Sequence, residues 1–494
     1  MEYHSDHLLV LIHGLWGNVS HFDYICRAID QYYTYDDLAD LVDNSKVVGG
    51  KQRAEAYVSL TGESLARAES DPEKEDLESL IQKLRESGKL AKNSKYRKPY
   101  LLVTRSNEGY QTYDGIDMCG EKVTREIEDA LDNYERQGIR INKISITGYS
   151  LGGLMARYAI GMLYQRGVFK RVTPVNFTTF CTPHIGVRAP GKGLPTTIFN
   201  TCIPRTFSAT GRQLFQIDKF STSGKPLMSI LADKSSIFYH ALMLFSNHAL
   251  YANIVNDRRT SWFTAGISHT DVFLDLRNIS LNYLPGYEPT LIDVSNPISP
   301  ILHTQDPEMR LMSGVSGLRA GVSILPTLFM AIINIFLISP FYVLAYFISA
   351  AIQTFYSSRR LREFHSNRKG RYGMDEFRLL HIDEQIEDVV DTVLGDFIPY
   401  SMSHAHVDDI MSDNQTTAGT FDEKNYYHVP PLEITDLQAK MIQSLNSVPW
   451  KKFPVHITKT KAAHAAVIVR HLDWKGMEEG QVVIRHWLSE VLHM

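Results

Sequence analysis

Short apolar runs rich in β-branched residues alternate along this chain with stretches whose apolar residues recur at helical spacing. The runs are Leu8 to Ile12, Tyr100 to Thr104, Ile144 to Thr147, Val175 to Phe180, Leu250 to Val255 and Val455 to Thr458. This alternation predicts an α/β fold with a mostly parallel central sheet covered by helices. Helices are expected from about Ser20 to Ile29 and from about Gly120 to Tyr134, the second leading into the third strand. Between Tyr35 and Lys98 the texture changes. In "SDPEKEDLESLIQKLRES", Asp71 and Pro72 open an acidic first turn, and Leu77, Leu80, Ile81 and Leu84 follow at helical spacing. Residues 35–98 therefore read as a surface insertion carrying an exposed helix.

The largest break in the pattern comes late. Residues 320–358 contain no Asp, Glu, Lys, Arg or His, a composition suited to hydrocarbon. Arg310 and Arg319 precede the stretch, and Arg359, Arg360 and Arg362 follow it. Pro340 divides it into arms of about 18 and 16 residues, each near or below the ~20 that a spanning helix needs, and proline disfavours continuing one helix through that point. A helical hairpin that dips into one leaflet or a droplet monolayer is expected, with paired spanning helices as the rival.

Composition narrows the classes. The net charge of -4 and the lack of any long Lys/Arg run argue against a nucleic-acid partner. Cys26, Cys119, Cys181 and Cys202 show no Cys-x-x-Cys pairing, so neither a disulfide framework nor a zinc ribbon is expected. The acidic N-terminus and its short apolar run do not read as a secretory signal.

The chemistry concentrates in "KISITGYSLGGLMARYAIG". Gly148-Tyr149-Ser150-Leu151-Gly152 fits G-x-S-x-G between a strand and a small-residue helix, the setting of a nucleophile elbow. Glycines two before and two after a serine remove side chains that a sharp turn would drive together. The following helix N-terminus aims free N–H groups at developing negative charge. One oxyanion donor is then the N–H of Leu151. The second belongs in the loop of "LVLIHGLWGN", from Leu15 or its neighbour Trp16, with Leu15 preferred. His13 reads as structural within that loop.

A serine needs a histidine base oriented by a carboxylate, in α/β-hydrolases in the chain order Ser, Asp/Glu, His. Asp257 stands just beyond the strand of "ALYANIVND", and Asp271, Asp275 and Asp293 have weaker settings. His464 sits after the last strand, ahead of small residues. His456, inside the strand, and His471, two helical turns later, read as structural. His404 and Asp409 in "SHAHVDD" read as a chance pairing. Because Asp257 precedes the apolar stretch and His464 follows it, the chain must return to the side it left.

The elements "LLVLIHGLWGN", "YDGID", "ITGYSLGGLMARYAIG", "CTPHIGV", "ANIVNDRRTSWFTA" and "KAAHAAVIVR" together resemble the fungal putative serine esterase family of the α/β-hydrolase clan. The resemblance implies hydrolysis of acyl esters of glycerophospholipids at a lipid-droplet surface, with Ser150, Asp257 and His464 at the matching positions. Residues 35–98 are longer than the family leads one to expect, and most of 372–452 carries none of its motifs.

The expected organisation is a hydrolase core over residues 1–310, with the insertion at 35–98 and an apolar segment at 189–245 that reads as a lid or acyl pocket. The hairpin at 320–358 follows, and residues 372–494 complete the core and supply the histidine. The expected activity is a serine esterase acting on lipid at a droplet or at the cytosolic face of a membrane such as the endoplasmic reticulum. No metal or organic cofactor is implied. Neutral lipids or acyl-proteins as substrates, or an inactive scaffold at the droplet surface, are the alternatives.

Overall fold

The computed structural model describes residues 6–33, 98–220, 224–274, 276, 279–300, 339–366, 420–421, 427–429 and 431–494. Its centre is a six-stranded sheet in which every pairing is parallel. The strands are β1 (Asp6–Ile12), β2 (Tyr100–Val103), β3 (Ile141–Tyr149), β4 (Thr173–Phe180), β5 (Asn247–Asn253) and β6 (Trp450–Val455). Their spatial order is β6-β5-β4-β3-β1-β2. The chain therefore moves outward from β1 to β2, then returns to the other side of β1 with β3. Loops leaving the carboxyl ends of β1 and β3 diverge at that reversal and open a crevice, where open α/β sheets place ligands.

Why β1 is a central strand follows from its letters. Leu8, Leu9, Val10, Leu11 and Ile12 are all buried, with Leu8, Val10 and Ile12 in one core cluster and Leu9 and Leu11 in the other. A parallel strand covered on both faces needs such a continuous apolar run, and each of these side chains contributes about 1.5–3 kcal/mol on burial. Helix α1 (Ile116–Arg136) and helix α2 (Leu151–Gln165) pack side by side on the first face. Their approach is close because Gly120 of α1 lies under the Tyr158 ring of α2, while Gly161 of α2 takes in Phe238 from the helix Ile237–Met243.

The predicted strands are all present, with altered limits. The sixth was expected at Val455–Thr458 but runs from Trp450 to Val455. Two lysines disguise it. Lys452 extends its stem along the sheet and donates its Nζ to the Ile267 carbonyl and to Asn446 Oδ1, so a charged letter occupies a strand position without its charge being buried unpaired. Pro454 is tolerated because β6 is an edge strand, and that edge is partly covered by a bridge from Leu291 to Val455. The insertion expected over 35–98 lies almost wholly outside the described residues.

The segment 189–245 forms short helices, among them α3 (Leu194–Cys202) and α4 (Ser208–Leu214). Beyond it, the first arm of the expected hairpin lies outside the described residues. The second arm belongs to α5 (Ser339–Ser366), with Pro340 in its first turn, where its fixed φ and missing N–H cost nothing. This helix does not stop at the end of the apolar stretch. It continues through Arg359, Arg360 and Arg362 and packs on α4 and on the turn Gly109–Asp114. Arg360 explains why: its guanidinium donates two-pronged to the fully buried Asp114 carboxylate at 2.7–3.0 Å. No helix among the described residues is long and apolar enough to cross a membrane.

A Cβ at Gly152 would run into the carbonyl oxygen of Ile12 at the end of β1. Gly152→Ala is therefore expected to lower stability by about 2–3 kcal/mol. A urea unfolding midpoint equal to that of the parent protein would refute this account of the β1–α2 contact.

Candidate active site

Strand β3 ends in buried Tyr149, and α2 starts at Leu151. Ser150 between them has φ 55 and ψ -126, a conformation costing an L residue about 1–3 kcal/mol. The surroundings hold it there. The Ser150 N–H donates to the Phe180 carbonyl of β4 at 2.8 Å, and Gly153 N–H returns to the Ser150 carbonyl at 3.1 Å. A Cβ on Gly148 would strike Gly153, one on Gly153 would strike Thr182, and one on Gly14 would sit 2.7 Å from the Ser150 Cβ. The glycines thus let the turn, the strand β1 loop and β4 crowd around one hydroxyl.

His464 comes from a helical turn (Ala463–Ala466) after β6. Its Nε2 lies 2.9 Å from Ser150 Oγ, and its Nδ1 lies 2.9 and 3.1 Å from the two oxygens of Asp257. Tyr149, next to the serine, donates its hydroxyl to the His464 carbonyl at 2.9 Å and fixes the backbone that carries the imidazole. Asp257 is fully buried just past β5. It accepts from the backbone N–H groups of Arg259 and Thr260 and from Asn253 Nδ2, at 2.8–3.0 Å. Burial alone would raise its pKa. The charge and hydrogen bond of His464, the Thr260 N–H and the Asn253 amide together hold the carboxyl below its usual range. A carboxylate locked in this way selects the tautomer with the proton on Nδ1 and leaves Nε2 free to accept from Ser150.

The loop after β1 lies against the serine. Trp16, at φ 55, donates its backbone N–H to Thr112 Oγ1 at 3.1 Å, so of the two loop amides expected from sequence, Leu15 is the one left to serve an incoming group. The Leu151 N–H, at the first turn of α2, has no intrahelical acceptor. His13 bonds within its own loop, Nδ1 to the Gly14 carbonyl at 3.1 Å.

The competing residues stand elsewhere. Asp271 is buried and caps the Phe273 N–H, its pKa pushed up to about 7 by burial. Asp293 closes a turn on Ser295, accepting from its N–H and hydroxyl. His456 Nδ1 pairs with the Tyr283 hydroxyl, and His471 stacks on Trp474. Asp275, His404 and Asp409 lie outside the described residues.

Sequence reasoning missed several supporting groups. Asn253 sits within β5 and offers no local sign that its amide will hold a carboxylate four residues on. Cys181, at the end of β4, has its sulfur within 4.8 Å of donor atoms of Asp257 and His464. These three are a set of potential metal donors, but Nδ1 and the carboxylate already bind each other. Burial, followed by the Asp257 charge, pushes the thiol far above its ordinary range, so it stays protonated. The set therefore suits proton transfer rather than cation binding. A further connection runs from α5 to the oxyanion loop. Ser357 Oγ donates to the Tyr113 carbonyl and takes a bond from Ser208, while Trp16 Nε1 donates to the Tyr113 hydroxyl.

Over residues 68–270 the chain matches the family described as "Putative serine esterase". That range holds Ser150 and Asp257 but neither the β1 loop nor His464, which join them only in space. Among curated proteins the chain is similar to "Putative lipase ROG1" of Saccharomyces cerevisiae, 28% identical over 194 residues, covering 38% of this chain and 26% of that one. A second relative, "Putative lipase YDL109C" of the same organism, is 30% identical over 167 residues, 33% of this chain and 24% of its own. A "Putative lipase" of Schizosaccharomyces pombe is 29% identical over 188 residues, 37% and 23% of the two chains. The matched region spans only about a quarter of each relative. No solved structure matches the chain.

Burial drives His7, His13 and His486 down from 6.5 to about 4. The unfolded chain takes up protons that these folded imidazoles refuse, so their contribution to stability is full above pH 6.5 and declines as pH falls toward 4. Asp257 adds to the acid loss only later, as pH falls through its lowered folded value. The urea midpoint is expected to drop between pH 7 and pH 5; a flat profile there would count against neutral buried histidines.

Proposed function

We propose that this chain is a serine hydrolase of lipid acyl esters, and the observation that carries the reading is the continuous hydrogen-bond chain Ser150–His464–Asp257. Ser150 Oγ attacks the ester carbonyl while His464 Nε2 takes its proton, and Asp257 stabilises the imidazolium that results. The carbonyl oxygen, now an anion, receives the N–H groups of Leu151 and Leu15. Collapse of the tetrahedral species expels the alcohol, protonated by His464, and leaves an acyl group on Ser150. Water then repeats the sequence with His464 as base and releases the fatty acid. All the groups this cycle needs are side chains and amides of the chain itself.

Lipid as substrate is supported by the relatives, which are described as putative lipases, and by the apolar stretch 320–358. Phe347, Ile348, Ile352 and Phe355 of α5 present exposed apolar surface directly before Arg359, Arg360 and Arg362. An apolar face followed by arginines suits a helix seated at an interface with anionic headgroups. We place the protein at a lipid droplet or the cytosolic face of a membrane, with 320–358 dipping into one leaflet and α5 returning the chain to the core through Arg360 and Asp114. Glycerophospholipids are the preferred substrate class, since such an interface brings them to the crevice. The helices of 189–245 serve as its lid.

A fluorophosphonate probe should label the protein and fail to label Ser150→Ala. Hydrolysis of a soluble short-chain ester should fall by about 10^4-fold or more in Ser150→Ala and by about 10^4-fold in Asp257→Asn, the latter through the wrong tautomer. Labelling that survives Ser150→Ala would end the hydrolase reading, and no labelling of the parent protein would leave the scaffold reading in its place. For the interface, Phe347, Ile352 and Phe355 changed together to Asn should release the protein from phosphatidylcholine vesicles while soluble-ester hydrolysis persists. Vesicle binding that remains intact would assign the membrane contact to another part of the chain.

A further inference from the structure

The segment between β4 and β5 leaves the sheet at the edge that carries Ser150, and it holds a cavity of about 390 Å³. The wall is cationic. Arg188, Lys192 and Arg205 line it together with Thr197, Thr201 and Ile217, and none of the lining residues carries a carboxylate. Among the described residues none of the three cations is in an ion pair with an acidic side chain, and Arg205 instead donates to the Thr201 carbonyl at the end of its own helix. Three like charges gathered without a counterion repel one another, and that cost is recovered when an anion enters.

The cavity is held in shape from both sides. Asn200 brackets Ala189, accepting from its N–H and donating to its carbonyl at 2.9 and 3.0 Å. Gln438 Nε2 donates to the Arg188 carbonyl, and Gly191 N–H donates to the Glu433 carbonyl. The walls are therefore fixed by side-chain and backbone bonds to 433–438, far away in the chain. Beside the cations stand hydroxyls, the two donor types that bind phosphate oxygens.

The rim is apolar where a soluble protein would have polar residues. Leu194, Ile198 and Ile217 are 74%, 54% and 46% exposed. Leu194 and Ile198 are four apart on α3 and so share one face, next to Thr197 and Thr201, which share the cavity face. A free phosphate would gain nothing from such a rim. A phosphate that arrives attached to acyl chains would use both parts at once. The surroundings also join the interface proposed above: α3 continues into the short turn Ile203–Arg205, which packs on α4, and α5 packs on the same α4.

We propose that this cavity binds the phosphate of a glycerophospholipid headgroup in the membrane surface, while Leu194, Ile198 and Ile217 enter the acyl region around it. The proposal builds on the reading of the protein as an interfacial lipid hydrolase, but it concerns binding and is tested without turnover. In a Ser150→Ala background, binding to vesicles of phosphatidylcholine with a minority of phosphatidylserine would be measured by flotation. Changing Arg188, Lys192 and Arg205 together to Gln should weaken that binding on the order of 100-fold, and Leu194→Asn with Ile198→Asn should weaken it by about tenfold or more. In the otherwise native chain both sets of changes should leave the urea unfolding midpoint unaltered, which reports that the variants fold.

Arg136 and Lys170 provide the control, since they stand before β3 and β4, at the opposite edge of the sheet. Changing both to Gln should leave vesicle binding intact. An equal loss with that pair would overturn the proposal by showing a diffuse charge effect. Inorganic phosphate titrated into the same protein gives the other arm. Saturable phosphate binding lost in the triple variant, with vesicle binding unchanged by it, would assign the cavity to a free anion and overturn the lipid assignment. Loss of labelling in the parent protein would sink the hydrolase reading and leave the vesicle measurement standing.

Discussion

The structure depends on backbones that touch where side chains would ordinarily keep them apart. At the carboxyl edge of the sheet, Gly152 sits against the Ile12 carbonyl, Gly148 against Gly153, and Gly14 against Ser150. These contacts set how closely α2 can start behind β3 and how near the β1 loop comes to the serine. Without them the backbone at Ser150, at φ 55, would relax into an ordinary turn, and the β1 loop would no longer lie against the serine. Strain at one residue is held by dense packing at its neighbours, and this is how a weak nucleophile is kept exposed.

From that edge the electrostatics follow in order of burial. Asp257 is fully enclosed, yet it stays ionised because it accepts from four donors: an imidazole, two backbone amides and the Asn253 side chain. Arg157, one face removed on α2, shows the opposite case. It is buried with the His184 carbonyl as its acceptor among the described residues, and desolvation lowers its pKa to about 9. The contrast separates a charge that the fold supports from one it merely encloses.

The helix Ser339–Ser366 gives the apolar stretch a mechanical meaning. The stretch does not hang free of the core. Arg360 and Ser357 tie it to the turn Gly109–Asp114, and that turn holds Trp16 through Thr112 and Tyr113. The elements that would meet lipid and the loop that would receive the oxyanion therefore share one set of contacts. A cation placed immediately after an apolar stretch reads in sequence as a headgroup ligand, but Arg360 is spent on a buried aspartate, and this is a long-range choice that only the fold makes.

The sequence alone determined what depends on neighbouring letters. Periodicity set the six strands and the parallel sheet, glycine spacing set the elbow at Ser150, and the position of residues just past strand ends pointed to Asp257 and His464, because strand ends in such a sheet share one edge. Strand limits were displaced where lysine stems and an edge proline occupied strand positions, as in β6. Tertiary structure alone decided which loop amide remains free, that Asn253 and Cys181 attend Asp257, that Arg360 closes on Asp114, and that three cations from separate turns enclose one cavity. Several of these contacts join residues distant in the chain, and the energies of all of them come from burial and mutual geometry, which leave no period or spacing in the linear pattern.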